Sequence, residues 1–267
     1  ATFFCKAKVI AHEHGSIARP GIQYSLYRLM LRLLKKRAAR FVAVSNAIAG
    51  QLTQRAGVDP ARIKVIYNAV DLKAFTPNPE HRQTVREELG IHPDDIVIGF
   101  VGRLAHVKGP DILLDAFGLL LPKKTNCTLV FLGSGEMQES LLSKAKTLGV
   151  SHRVKFLGFR KNIAEIMNAF DIGCMPSRQE AFGIAALEFM SMKIPLVCSI
   201  PDGLAEIVSD GQNALAPSAN TALSMSECIL TSINDKQLSL SLAKGAYEKV
   251  QKFGIPELLN QVNKLYK

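Results

Sequence analysis

No apolar run in this 267-residue sequence approaches the ~20 residues that a bilayer-crossing helix needs. Its first residues show no leader-peptide pattern. CxxC pairs and clustered Cys/His spacings are absent, which removes the usual marks of a zinc site, and no Asp-x-Asp occurs that could seat a divalent ion on a phosphate. The five cysteines, Cys5, Cys127, Cys174, Cys198 and Cys228, are odd in number, widely spaced and mostly set in apolar runs. That pattern argues against a disulfide framework and for a reducing compartment. Basic side chains are not interleaved with aromatics and no nucleic-acid module stands out, so nucleic acid is not the expected partner.

What the chain does carry is positive charge, +10 net with histidine neutral, and that favours anionic partners such as phosphates, nucleotides or acidic lipid surfaces. Short apolar runs at 8–12, 41–44, 63–67, 96–101, 128–132, 154–157, 172–175 and 196–198 alternate with segments of helical period. Alternation of this kind predicts an α/β fold with parallel sheets covered by helices on both faces. A polar stretch with prolines, FTPNPEHRQTVREELGIH, separates two such series. It leads us to expect a partial N-terminal domain over 1–77, a complete C-terminal domain over 78–250, and a terminal helix over 251–267 packing back toward the first. The chain begins at Ala1 rather than methionine, and its N-terminal series is thin for an independent domain. An interior piece of a longer protein is therefore expected.

The helix over 24–40, YSLYRLMLRLLKKRAAR, places Arg28, Arg32, Lys35 and Lys36 on one face and Leu26, Leu29, Met30, Leu33 and Leu34 on the other. Two readings fit it. One is a helix packed on its own sheet with a solvated basic face; the other is peripheral contact with a membrane surface.

The stretch PSRQEAFGIAALE at 176–188 sets Glu180 and Glu188 among small and apolar neighbours. A buried carboxylate without a partner is costly, so either this is a surface turn or it handles something polar. The strand before it places Glu180 at the mouth of a doubly wound sheet, where such folds bind ligands. Gly183 opens a helix whose free N–H groups favour phosphate, and Glu188 lies further along that helix. Carboxylates flanking an anion site suit a ligand with hydroxyls at both ends and phosphates between, such as a nucleotide sugar. The loop GRLAHVKG brings Arg103 and Lys108 to the same edge, where both would stabilise a diphosphate. LGSGE and FLGFR add loops whose glycines let backbone approach a base. Blander alternatives stay open: Glu188 paired with Lys193, Arg103 capping a helix or bridging domains, Lys108 solvated in a first turn.

GRLAHVKG, FLGFR, PSRQEAFGIAALEFM and PDGLAEIVSDG, in this order, resemble the donor domain of the family 4 retaining glycosyltransferases of the GT-B fold. FVAVSNAIAGQL and IKVIYNAVDLKAF resemble the end of that family's acceptor domain and its interdomain link. The resemblance covers nearly the whole chain. It implies a complete C-terminal Rossmann-like domain with a parallel sheet, a partial N-terminal one lacking its first part, and metal-independent transfer with retention of a hexose from UDP-sugar or GDP-sugar to a glycan or lipid-linked acceptor. No cofactor is implied, and the setting is cytoplasmic or the inner face of a membrane. By position, Gly102, Arg103 and Lys108 would hold the diphosphate, with Gly133, Gly158 and Phe159 near the base. Glu180 would touch sugar hydroxyls, the backbone of Phe182, Gly183 and Ile184 would contact phosphate and sugar, and Glu188 would bind the ribose. His14, in AHEHGS, matches a histidine facing the donor sugar from across the cleft. Glu180, His14, Arg103 and Lys108 make up the expected catalytic set. One departure is Ala69 in Asn68-Ala69-Val70-Asp71, where the family usually has glycine; alanine restricts that turn if φ is positive. The alternatives are a GT-B phosphorylase, a sugar-nucleotide epimerase, or a catalytically idle donor-domain binding protein.

Overall fold

The computed structural model describes residues 9–15 and 22–266. Cys5 and the first residue of the expected strand at 8–12 lie outside the described residues, as do the side chains of Leu26, Arg28, Arg32 and Leu33. The first series is β1 (Val9–Glu13), α1 (Ile22–Arg37), β2 (Ala38–Ala43), α2 (Asn46–Ala56) and β3 (Ile63–Val65). Its strands form a parallel sheet in the order β1-β2-β3. The second series is α3 (Pro79–Glu88), β4 (Ile96–Val101), α4 (Pro110–Leu120), β5 (Cys127–Leu132), α5 (Gln138–Thr147), β6 (Val154–Gly158) and α6 (Ile163–Met167). It continues with β7 (Ile172–Met175), α7 (Ile184–Ser191), β8 (Leu196–Cys198), α8 (Ala222–Asn234), α9 (Lys236–Val250) and α10 (Ile255–Tyr266). These strands pair in parallel as β6-β5-β4-β7-β8.

Strand alternation builds the core. Val97 and Val101 of β4 face one side of the larger sheet, with Leu187 and Met190 of α7 and Ala246 of α9. Ile98 and Phe100 face the other, with Leu113 and Phe117 of α4 and Met225 of α8. Burial on both faces explains why these strands read as continuous apolar runs. The first of these clusters extends without a break into Phe41 of β2, Val44 just after it, and Ile48 and Leu52 of α2. The two halves therefore share packed apolar surface.

In this strand order the chain leaves β4 toward β5 on one side and returns through β7 on the other. β4 and β7 are thus the switch point, where the crevice of an open α/β sheet lies. The link between the halves is unstrained: the only described non-glycine residues with positive φ are Lys193 and Asp202, so Ala69 carries no penalty. Val70 donates its N–H to the Phe253 carbonyl at 2.9 Å, tying the link to the chain just before α10.

In α1 Leu31 is buried, whereas Leu29 and Met30, on the apolar face of the helical wheel, are exposed. α1 also ends three residues earlier than the pattern suggests, because Ala38 is drawn into β2, buried and paired with Val9. Among the described residues no helix is long and apolar enough to cross a membrane.

Candidate active site

At the switch point, two loops lock together. After β4 the chain makes a short 3-10 turn, His106–Lys108, and leaves it through Gly109 at φ 67. A Cβ at Gly109 would sit 2.1 Å from the Pro176 carbonyl oxygen, so only glycine allows this turn and this approach together. The loop after β7 answers with Arg178. Its N–H donates to the Val107 carbonyl at 2.8 Å, and its Nη1 donates to the His106 carbonyl at 2.8 Å. Its guanidinium then forks onto both Asp111 carboxylate oxygens at 2.8 and 2.7 Å. Burial alone would push the Asp111 carboxyl up, but the Arg178 hydrogen bonds outweigh it and hold the carboxyl below its ordinary value.

This staple sets Lys108 against Glu180. Lys108 Nζ lies 2.5 Å from Glu180 Oε2, and the Glu180 side chain is only 8% exposed. Ser177 Oγ approaches the same oxygen at 3.4 Å. Lysine and glutamate, expected to serve different parts of a ligand, are therefore paired with each other, and Lys108 is not a solvated first-turn lysine. Arg178→Ala should release both loops at once. The expected result is a loss of stability of about 2 kcal/mol, as for other hydrogen bonds to charged groups. Arg178→Lys should not restore it, because an ammonium cannot reproduce the fork; thermal unfolding measures the effect.

A hollow of about 200 Å³ opens beside the pair, lined among others by His14, Asn68, Gly102, Lys108, Glu180 and Gly183. Gly183, at φ 104, starts α7 without any side-chain cap. A Cβ there would press to 2.5 Å from a Leu204 methyl. The helix thus offers uncapped N–H groups and the positive end of its dipole. Ile184 is exposed. The Phe182 side chain is buried, stacked on Tyr67 at 5.4 Å between centroids and edge-on to Phe253, which leaves its backbone as the part facing the hollow.

A second hollow of about 380 Å³ is lined by Gly102, Arg103, Gly133, Ser134, Phe159 and Arg160, among others. Val101 and Gly102 border both, so the two hollows adjoin at the carboxyl end of β4. Phe159 stands 74% exposed in the second. Gly158 lies behind, its carbonyl accepting the Gly133 N–H at 3.0 Å. Arg103 is exposed and, among the described residues, caps no helix and bridges no domains.

Glu188 borders neither hollow. It lies one turn inside α7, where burial lifts its carboxyl to about 7. Among the described residues no side chain reaches that carboxylate. Lys193, the candidate partner, instead lies over the Tyr247 ring at 4.4 Å from the centroid. His14 enters from the N-terminal half, its ring 4.0 Å from that of His12. Burial, with His14 secondary, lowers the His12 pKa.

A larger hollow, about 680 Å³, lies at the opposite edge of the sheet. There Asp171 bridges Arg82 and Arg86, at 2.6 Å each. None of the expected site residues is near it. What sequence reading missed is the support: Arg178, Asp111, Ser45, Tyr67 and Glu206. Only Ser45 carried a signal, as a cap residue before a helical run; the others act through partners distant in sequence. Among the described residues no group of three His, Cys, Asp or Glu side chains is placed to hold a metal ion.

Residues 81–249 match the family described as Glycosyl transferases group 1, and residues 2–74 match Glycosyltransferase Family 4. The D-inositol 3-phosphate glycosyltransferase of Jonesia denitrificans is 31% identical over 229 residues, covering 82% of this chain and 54% of its own. The enzyme of the same name from Actinosynnema mirum is 36% identical over 189 residues, 67% of this chain and 45% of its own. The chain thus spans about half the length of the curated relatives it matches. Among solved structures, Anabaena Alr3699/HepE in complex with UDP and glucose superposes with a TM-score of 0.92 at 27% identity, covering 99% of this chain and 73% of that one.

Proposed function

The chain belongs to the glycosyl transferases group 1 family, and from that premise we propose that it binds a nucleoside-diphosphate sugar and moves the hexose, with retention and without a metal or cofactor, to a glycan or lipid-linked acceptor hydroxyl. One observation carries the reading. Two adjoining hollows, one holding His14, the Lys108–Glu180 pair and the uncapped start of α7 and the other holding Arg103 and Phe159, have the charges that a sugar, a diphosphate and a nucleoside need. UDP is the first nucleotide to try, because Alr3699/HepE is a UDP complex; GDP is the second.

In this reading Arg103, Lys108 and the α7 amides hold the diphosphate, and they hold it more strongly as the bond from sugar C1 to the phosphate oxygen breaks and charge builds on the departing nucleoside diphosphate. The acceptor oxygen bonds to C1 on the face the phosphate leaves, and the acceptor proton passes to the departing phosphate oxygen. Glu180 orients sugar hydroxyls, His14 meets the sugar from the N-terminal half, Gly133 and Gly158 flank the base, and Glu188 accepts from the ribose diol. Work at a cytoplasmic membrane face is part of the proposal. Exposed Leu29 and Met30 on α1, with Lys36 exposed further along the same helix, suit an anionic lipid surface.

Calorimetric titration with UDP, GDP and ADP tests the donor site, and co-sedimentation with anionic vesicles tests the surface. Binding of one nucleotide names the base. A folded chain that binds none would overturn the donor assignment.

A further inference from the structure

Glu206 lies in PDGLAEIVSDG, in the C-terminal half, yet its carboxylate is spent on the other half. Oε2 accepts from Asn46 N at 3.0 Å, from Asn46 Nδ2 at 2.7 Å and from the Tyr67 hydroxyl at 3.0 Å. Oε1 accepts from Ala47 N at 3.0 Å. The start of α2 has unpaired N–H groups and a positive dipole end that favour a carboxylate. Here that carboxylate comes from a residue 160 positions away. Ser45 completes the cap by accepting from Ile48 N at 3.2 Å, and donates its own hydroxyl to the Ala181 carbonyl at 2.7 Å.

The same segment grips the binding loop. Gly203 donates its N–H to the Glu180 carbonyl at 3.0 Å, and a Cβ at Gly203 would fall 2.0 Å from the Ala181 carbonyl oxygen. Residues 203–206 thus hold the Glu180 loop with one end and the start of α2 with the other. His14, on the same half as α2, lines the hollow beside Glu180.

We propose that Glu206 is a positioning residue, a latch that holds the N-terminal half closed over the hollow beside Glu180. The inference deepens the transferase reading and rests on it. A ligand that touches only the C-terminal half should be indifferent to the latch. A ligand that also meets His14 should lose affinity by the fraction of closed chain that is lost.

The test compares wild type, Glu206→Ala, Glu206→Gln and Asn46→Ala by hydrogen exchange and by titration with UDP and UDP-glucose. In Glu206→Ala we expect faster exchange of the Asn46 and Ala47 amides, about tenfold weaker UDP-glucose binding and UDP binding within twofold of wild type. Glu206→Gln, which keeps the length and one acceptor oxygen, should recover part of the loss. Asn46→Ala, which removes side-chain bonds and leaves Glu206 in place, should show a smaller version of the same split. Equal losses for both ligands would reduce Glu206 to a structural role, and no loss for either would remove the latch altogether; both outcomes overturn the proposal. A wild-type chain that binds neither ligand would sink the transferase reading separately. The latch would then be decided by exchange alone, with faster exchange at both residues 46–47 and 180–183 in Glu206→Ala supporting it and unchanged exchange refuting it.

Discussion

Glu188→Gln is expected to leave the chain more stable at pH 8 and less able to hold a nucleotide. Burial holds the folded carboxyl at about 7, against an ordinary 4.5, and no partner among the described residues offsets it. Between those values the folded chain keeps a proton that the unfolded chain has released. Stability therefore falls as pH rises through this window, and the full cost is present above it. A difference of that size corresponds to about 3 kcal/mol. Glutamine carries no such cost, so the variant should gain up to about 3 kcal/mol at pH 8, or roughly 6–12 °C in Tm, and nothing at pH 4. Denaturant unfolding at both pH values measures this.

In the proposed donor site the same carboxylate would meet the ribose, where two ionised oxygens could accept both hydroxyls and an amide offers one acceptor. Losing a charge-assisted hydrogen bond should weaken UDP about 10–100-fold. Binding to the ionised form also releases a proton, so wild-type affinity should fall as pH drops below 7, and Glu188→Gln should flatten that profile. Uridine is the decisive ligand, because the terminal phosphate of UDP titrates with a second pKa of about 6. If uridine binds the wild type with one affinity from pH 5.5 to 8, and binds the glutamine variant equally well, Glu188 does not hold the ribose.

Much of the fold was legible because its elements announce themselves locally. Runs such as IVIGFV and CTLVFL are apolar on both faces, as central parallel strands must be, and they form β4 and β5. The placement of Arg103, Lys108 and Glu180 was legible for a related reason: they sit between a strand's end and the next helix, and the parallel topology brings such segments to one edge. What the sequence could not report is partnership. Lys108 meets Glu180 across 72 positions and Arg178 meets Asp111 across 67. No local spacing encodes either. Periodicity likewise says which residues are apolar, not which are covered. Leu29 and Met30 share the apolar side of α1 on a helical wheel yet are exposed, while Leu31 is buried. In α10 the pattern is strongly two-sided, and no residue of the helix is buried among those described.

Lys108→Ala should be the most damaging single change, because one side chain serves two balances. The Lys108 ammonium neutralises Glu180, whose side chain is almost fully enclosed. Removing it leaves a buried carboxylate whose remaining side-chain partner among the described residues is Ser177, at 3.4 Å. Breaking a buried pair in this way costs about 3–5 kcal/mol, and since the Lys108 side chain is 29% exposed, the lower figure, about 3, is the expectation. Removing both charges, as in Lys108→Met with Glu180→Gln, should recover most of that stability, because the penalty belongs to the orphaned charge. It should not recover binding. UDP should weaken about 100-fold in both variants, equivalent to roughly 2.7 kcal/mol of charge-assisted contact to phosphate, while uridine stays within twofold. The double variant thus separates a folding role from a binding role. If UDP and uridine fall together in a chain whose stability has been restored, Lys108 shapes the site rather than holding the diphosphate. If UDP alone falls, the lysine that balances Glu180 is also the one that meets phosphate, and binding then requires the pair to part.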